Sequence, residues 1–174
     1  MDCSHRVVVE EPGRDIVSPL TRKATAADQS LLMRATLENL NWNGERFTPD
    51  DLQRQEFRHY FEGWPGAQDF GFVAESVEGR PVGVVWLRFF TEADPGYGFV
   101  QESIPELSIW VDASHRGQGL GLALVQEAIR EARVRELDGI SLSVEAGNPA
   151  RKLYERVGFL AGAELSEGTL ILRL

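Results

Sequence analysis

Two hydrophobic periods divide the chain. Between Thr25 and Asn39 apolar residues return at Ala27, Leu31 and Ala35, with Leu37 and Leu40 close behind, which predicts a helix. A second helix is predicted from Thr48 to Phe61, with Pro49 at its first position and Asp50 and Asp51 in the positively polarised first turn. Gly63-Trp64-Pro65-Gly66 then reads as a turn. Past it the period shortens. Phe70–Val77, Arg80–Phe90 and Ile104–Val111 are β-branched and aromatic runs that read as strands, the first two joined tightly at Glu78-Gly79. A longer connection containing Asp94-Pro95-Gly96 leads to the third, so an antiparallel meander is expected. Gln118–Leu137 returns to helical spacing: Leu120, Leu124, Ala128 and Ala132 form one stripe, while Glu127, Arg130, Glu131, Arg133 and Glu136 lie off it. Gly139 reads as its stop. Ile140–Val144 is a strand, Pro149–Val157 a short helix, and Phe159–Leu174 two closing strands around Gly168. Residues 1–15 show no period and read as a loose leader, followed by a strand near Ile16–Arg22. One α+β domain over residues 16–174 is the expectation.

Composition narrows the function. A chain of 174 residues, 43% hydrophobic and 26% charged, has the length and profile of one globular domain. The single cysteine, Cys3, excludes an intrachain disulfide framework and a cysteine metal cage. His5, His59 and His115 stand far apart without an HExxH pair, so no metal is expected. No apolar run approaches the roughly 18 residues of a membrane span, and Met1–Arg14 lacks the pattern of a secretory signal. No membrane partner and a cytoplasmic location are the expectations. The net charge of −9 disfavours nucleic acid as a partner, because phosphate neutralisation needs a basic face. The acidity is uneven. From His115 to Arg156 seven basic residues meet six acidic ones, a net of +1, whereas the remainder carries −10.

That less acidic segment holds the most informative stretch. Leu107-Ser108-Ile109-Trp110-Val111 ends a strand, a short polar link follows, and a helix opens on Gly117, Gly119 and Gly121. The first N–H groups of a helix lack internal partners and carry the positive end of its dipole. Glycines strip away the side chains that would keep an anion from them. Such a turn holds a pyrophosphate-sized anion. The dinucleotide fingerprint needs G-x-G-x-x-G and the P-loop needs Gly-Lys-Ser/Thr, and neither is present.

Arg116-Gly117-Gln118-Gly119-Leu120-Gly121 resembles the Arg/Gln-x-x-Gly-x-Gly/Ala hallmark of the GNAT acyltransferase superfamily. Downstream, Asn148-Pro149-Ala150-Arg151-Lys152-Leu153-Tyr154-Glu155-Arg156-Val157-Gly158-Phe159 is similar to that family's second motif. The two occur in the family's order, one helix and one strand apart. The resemblance implies a mixed, mostly antiparallel sheet of about seven strands flanked by about four helices. Two central strands would splay to admit acetyl-CoA or another acyl-CoA, with no metal. It implies that backbone amides from Arg116 to Gly121 cradle the pyrophosphate, and that Ile109-Trp110-Val111 meets the pantetheine arm as an added strand would. Asn148 would reach the same arm, and Arg151 a cofactor phosphate.

The resemblance further implies transfer to a primary amine of a small molecule or peptide. Its reaction needs a neutral amine, a held oxyanion and a proton for the leaving thiolate. The amide of Val111 suits the thioester oxygen, and Tyr154 matches the family's general acid. Glu106 is the first choice of base, with Glu102 as the alternative. Trp42, Trp86, Arg88 and Tyr97 are candidate acceptor walls, with Glu102 beside them. A homodimer is the assembly that many members adopt. A non-catalytic acyl-CoA sensor is the competing expectation.

Overall fold

A computed structural model describes residues 20–174. The leader, Cys3, His5 and the start of the strand expected near Ile16 lie outside them. Six strands lie side by side in chain order: β1 (Leu20–Lys23), β2 (Phe70–Glu75), β3 (Pro81–Arg88), β4 (Glu106–Val111), β5 (Gly139–Ser143) and β6 (Thr169–Arg173). Every pairing is antiparallel except β4 with β5. Four α-helices accompany them: α1 (Gln29–Leu40), α2 (Gln55–Arg58), α3 (Leu120–Val134) and α4 (Arg151–Val157).

Alternation along the strands sorts side chains into two cores. Val84, Trp86 and Trp110 face α1 and α2, joining Leu32, Leu52, Phe57 and Trp64. Val85, Leu87 and Leu107 face the other way, onto Leu124, Ala128 and Ala132 of α3 and Tyr154 of α4. The sheet is thus sandwiched between helical layers.

Three expectations are corrected. Among the described residues there are six strands where about seven were expected, because residues 161–168 form turns instead of a strand, with Leu160 making an isolated bridge to Ile171. Small residues without alternation, Ala161-Gly162-Ala163, give that stretch no apolar face to bury. The helix expected from Thr48 to Phe61 is broken: a 3₁₀ turn over Pro49–Gln53 and then α2, with extended backbone at Arg54. On one continuous helix Leu52 and Phe57 would point about 140° apart. The break lets both enter the same core, each 2% exposed. Finally, α3 ends at Val134, short of the Leu137 expected, and Gly139 is not its stop. Glu136 takes the left-handed conformation (φ 57°), and Leu137 N–H bonds to Ala132 O while Glu136 N–H bonds to Arg133 O, a Schellman ending on a non-glycine residue. Gly139 instead opens β5, where a Cβ would sit 2.6 Å from Leu172 O.

Candidate active site

The parallel pair β4 and β5 touches at one register position only, Glu106 opposite Ser141, with Ser141 N–H donating to Pro105 O at 3.0 Å. Beyond that point the two strands part. The odd-numbered backbone groups of β4 face the opening, since Pro105 points to β5 and Asp112 N–H returns to Val82 of the β3 side. Two carbonyls of this row are taken by side chains: Asn39 Nδ2 donates to Ile109 O (3.0 Å) and Arg116 Nε to Val111 O (2.9 Å). The amides of Ile109 and Val111 remain turned toward the gap. The gap opens into a cavity of about 880 Å³ that reaches from the glycine turn to α1 and the loop after β3.

At one end stands the glycine turn. Gly117 (φ 73°) and Gly119 (φ 85°) are left-handed, and Gly119 caps α3 with open space where a Cβ would point. Arg116, Gly117, Gly119 and Gly121 line the cavity, as do Ile109, Trp110, Val111 and Asn148. Gln118 and Leu120 do not: the Gln118 amide folds back onto Ser114 O (3.0 Å), and Leu120 is buried in the core under α3. Asn148 spends its Oδ1 capping the Ala150 amide at 2.9 Å. Arg151 lies off the cavity, paired with Glu155 at 2.8 Å one turn along α4. The Trp110 ring is anchored on the α1 side of the sheet, donating to Glu38 Oε2 at 2.6 Å beneath the Arg34 guanidinium.

Glu106 lies at the apex where β4 and β5 part, 5% exposed. The Tyr60 hydroxyl donates to its Oε1 at 2.8 Å, while Oε2 has no hydrogen-bonding partner. Burial pushes this carboxyl up to about 7; the Tyr60 hydrogen bond and the nearby Gly98 amide pull it partly back. The group is therefore divided between its two protonation states near neutrality, as a general base should be. Above it the loop 91–99 packs without room for side chains: a Cβ on Gly98 would lie 2.5 Å from the Leu142 carbonyl carbon, and one on Gly96 would strike Glu106 and Phe90.

Tyr154 approaches from the opposite layer. It is 8% exposed, lines the cavity, and burial alone pushes its hydroxyl up to about 12. A phenol with that value keeps its proton at neutral pH. Glu106 belongs to the α1–α2 face of the sheet and Tyr154 to the α3–α4 face. Only the parting of β4 from β5 lets both line one cavity.

The acceptor candidates divide. Trp42, Trp86 and Tyr97 line the cavity, Tyr97 at 55% exposure and Trp86 fully buried with its Nε1 on Tyr60 O (3.0 Å). Arg88 does not, its guanidinium turned to Glu62 O at 2.8 Å and toward Asp69. Glu102 is exposed and accepts from the Glu92 amide, outside the lining. The sequence reading missed Tyr60, Asn39, Phe47, Phe57 and Glu145, all lining residues. Glu145 accepts from Trp42 Nε1 (2.7 Å) and pairs with Arg46 (3.1 Å), tying the β5–α4 loop to the loop after α1. Its partners are about a hundred residues away in sequence, which leaves no local signal. Among the described residues no three His, Cys, Asp or Glu side chains cluster as metal ligands, and no helix is long and apolar enough to cross a membrane.

A parallel strand pair parted beside a glycine turn that opens a helix, with a carboxyl and a phenol lining one cavity, is the arrangement that the sequence resemblance implies. Comparison with known proteins agrees: the acetyltransferase (GNAT) family profile matches residues 35–159, and the chain belongs to that family. The mycothiol acetyltransferase of Saccharomonospora viridis is 32% identical over 134 residues, 76% of this chain and 42% of that one. That of Thermobispora bispora is 32% identical over 151 residues, 86% of this chain and 44% of its own. The chain thus spans less than half the length of these curated relatives. Among solved structures, the ribosomal-protein-alanine N-acetyltransferase of Brucella melitensis superposes with a TM-score of 0.61 at 26% identity, covering 89% of this chain and 99% of that one. A Clostridium acetobutylicum protein described as an acetyltransferase, solved with acetyl-CoA, shares the fold (TM-score 0.64, 19% identity, 85% of this chain and 94% of that one).

Proposed function

We propose that this protein transfers an acetyl group from acetyl-CoA directly to a primary amine of a small molecule or peptide. The observation that carries this reading is the pair Glu106 and Tyr154, a carboxyl raised to about 7 and a phenol raised to about 12, lining one cavity beside the glycine turn. The amides of the turn and the dipole of α3 hold the pyrophosphate. Ile109 and Val111 present backbone N–H groups to the pantetheine arm, and an amide of this row takes the thioester oxygen. Glu106, ionised, removes a proton from the entering ammonium, directly or through water. The neutral amine attacks the acetyl carbon, the C–N bond forms, and the C–S bond breaks. Tyr154 gives its proton to the departing sulfur, and the proton that the nitrogen sheds on becoming an amide restores the phenol through water, so the products are an amide and free coenzyme A. The relatives' names speak for acetyl transfer while differing in the acceptor, so the acceptor is left at the level of a primary amine.

Calorimetry with acetyl-CoA, and with NADH and ATP as controls, tests the first half. Selective binding of acetyl-CoA is expected, and no binding at millimolar ligand overturns the reading. Thiol release across a panel of amines tests the second half; cofactor binding without release on any amine would leave a sensor in place of an enzyme.

The pyrophosphate cradle has its own prediction. Gly119→Val puts a branched side chain on a left-handed residue at the helix N-terminus, where the anion must approach. Acetyl-CoA affinity should fall more than about tenfold. Gly79→Ala in the β2–β3 turn is the control: it has the same left-handed backbone (φ 74°), equally open space and a place remote from the cavity. It should lose stability by about 1 kcal/mol and leave affinity intact. Unchanged affinity in a folded Gly119→Val protein removes the cradle from the turn.

A further inference from the structure

We propose that Tyr60, in the turn after α2, is the positioning residue for Glu106: its hydroxyl fixes the carboxyl at the apex of the split and sets the pH range over which that carboxyl works. This rests on the reading of Glu106 as base. The phenol is placed between two partners. It donates to Glu106 Oε1 at 2.8 Å and accepts from the Tyr97 amide at 2.7 Å, so one oxygen joins the base to the loop that walls the acceptor side. The Tyr97 amide occupies one lone pair of the phenol oxygen and leaves the hydroxyl proton free to point at the carboxylate.

The ring is held as firmly as the hydroxyl. Phe90 packs on its edge at 5.1 Å, His59 at 4.7 Å, and the Tyr60 carbonyl takes the Trp86 indole N–H at 3.0 Å. The other charged or titratable groups around Glu106 do not hydrogen-bond it; Tyr154 lines the same cavity from α4, and His59 Nε2 is buried without a partner. From β3, Arg88 stands opposite Glu106 in register but gives its guanidinium to Glu62 O and lies near Asp69. From the segment after α2, His59 Nδ1 is 2.9 Å from Asp94 Oδ1 of the loop above. From β5, the Ser141 hydroxyl turns to Pro105 O. Tyr97 presents its backbone to Tyr60 and its own ring, stacked at 6.4 Å, to the mouth. Tyr60 is thus the one side chain that hydrogen-bonds this carboxyl among the described residues.

A hydrogen bond to a carboxylate favours its charged form. Tyr60→Phe keeps the ring and its packing but removes that bond, so the acid limb of the kcat/KM profile should move up by about one to two pH units. From a starting point near 7, turnover at pH 7 should fall roughly 5- to 50-fold and recover at higher pH. A merely structural role would lower the rate at every pH and leave the limb where it was. The experiment records pH profiles of thiol release for wild type, Tyr60→Phe and Glu106→Gln with one accepted amine. Expected is a limb moved upward in Tyr60→Phe and absent in Glu106→Gln. A limb absent in Glu106→Gln yet unmoved in Tyr60→Phe overturns the positioning role alone. A limb that persists in Glu106→Gln overturns the base assignment and this proposal with it. If Tyr60→Phe does not fold, fluorotyrosine at position 60 keeps the shape and makes a stronger donor. The limb should then move down, and an unmoved limb overturns the proposal.

Discussion

Tyr154→Phe is expected to lower turnover at saturating acetyl-CoA and amine by roughly 10²–10⁴ while leaving the affinity for acetyl-CoA within about twofold. The expectation follows from what surrounds the hydroxyl. Tyr154 sits in α4 with its ring against Phe159, edge to face at 6.0 Å, so the aromatic body is fixed by the core. Burial alone raises its titration to about 12. Such a phenol holds its proton through the working pH range and so has it to give when the C–S bond breaks. Removing the oxygen takes away the proton and little else: the ring packing survives, and the melting temperature should stay near that of wild type. Thiol release measured beside thermal melting separates the cases. A drop in kcat at constant melting temperature and constant cofactor affinity supports the acid. Near-full turnover means that water supplies the proton and that Tyr154 is a core residue whose hydroxyl happens to line the cavity.

How much of this could be read before folding depends on distance along the chain. The glycine turn was legible because its signal is local: three glycines two apart, opening an amphipathic helix, impose left-handed backbone and bare amides whatever the rest does. Tyr154 and Asn148 were legible only through the resemblance of their motif. Glu106 was marked by its place near the start of the third predicted strand, but its raised titration was not. That comes from burial beneath a loop that leaves no room for side chains above it, and the hydrogen bond that pulls it partly back comes from Tyr60, 46 residues earlier. Tyr60 itself looks like one more aromatic on an apolar run. The break at Arg54 escaped for a related reason. Pro49, Asp50 and Asp51 signal a helix start correctly, but only the shared demand of Leu52 and Phe57 for one core decides that the helix cannot continue. Likewise Gly139 invites reading as a helix stop, and its true constraint is the close approach of β6.

Glu106→Gln should do two things of opposite sign. Turnover should fall by roughly 10²–10⁴, since the amide cannot accept the amine's proton. Stability near neutral pH should rise. The carboxyl titrates at an ordinary value of 4.5 in a free chain and at about 7 in the fold, where burial penalises its charge. Between these two values the folded protein binds more protons than the unfolded one, so stability falls as pH rises through that window. The group's penalty is absent below about pH 4.5 and complete above about pH 7, where it amounts to as much as about 3 kcal/mol. Glutamine carries no charge to bury and can still accept from Tyr60. The variant should therefore melt higher than wild type at pH 8, and the difference should shrink toward zero as the pH is lowered to about 4.5. Equal melting at pH 8 would mean that the carboxylate is not penalised where it lies, and the raised titration would have to be given up whatever the kinetics say. Retained turnover with the expected gain in stability would instead keep the buried carboxyl and take the base role from it. Wild type holds a charge where its core is least able to solvate it, a cost that protein surfaces avoid and that proton transfer at neutral pH requires.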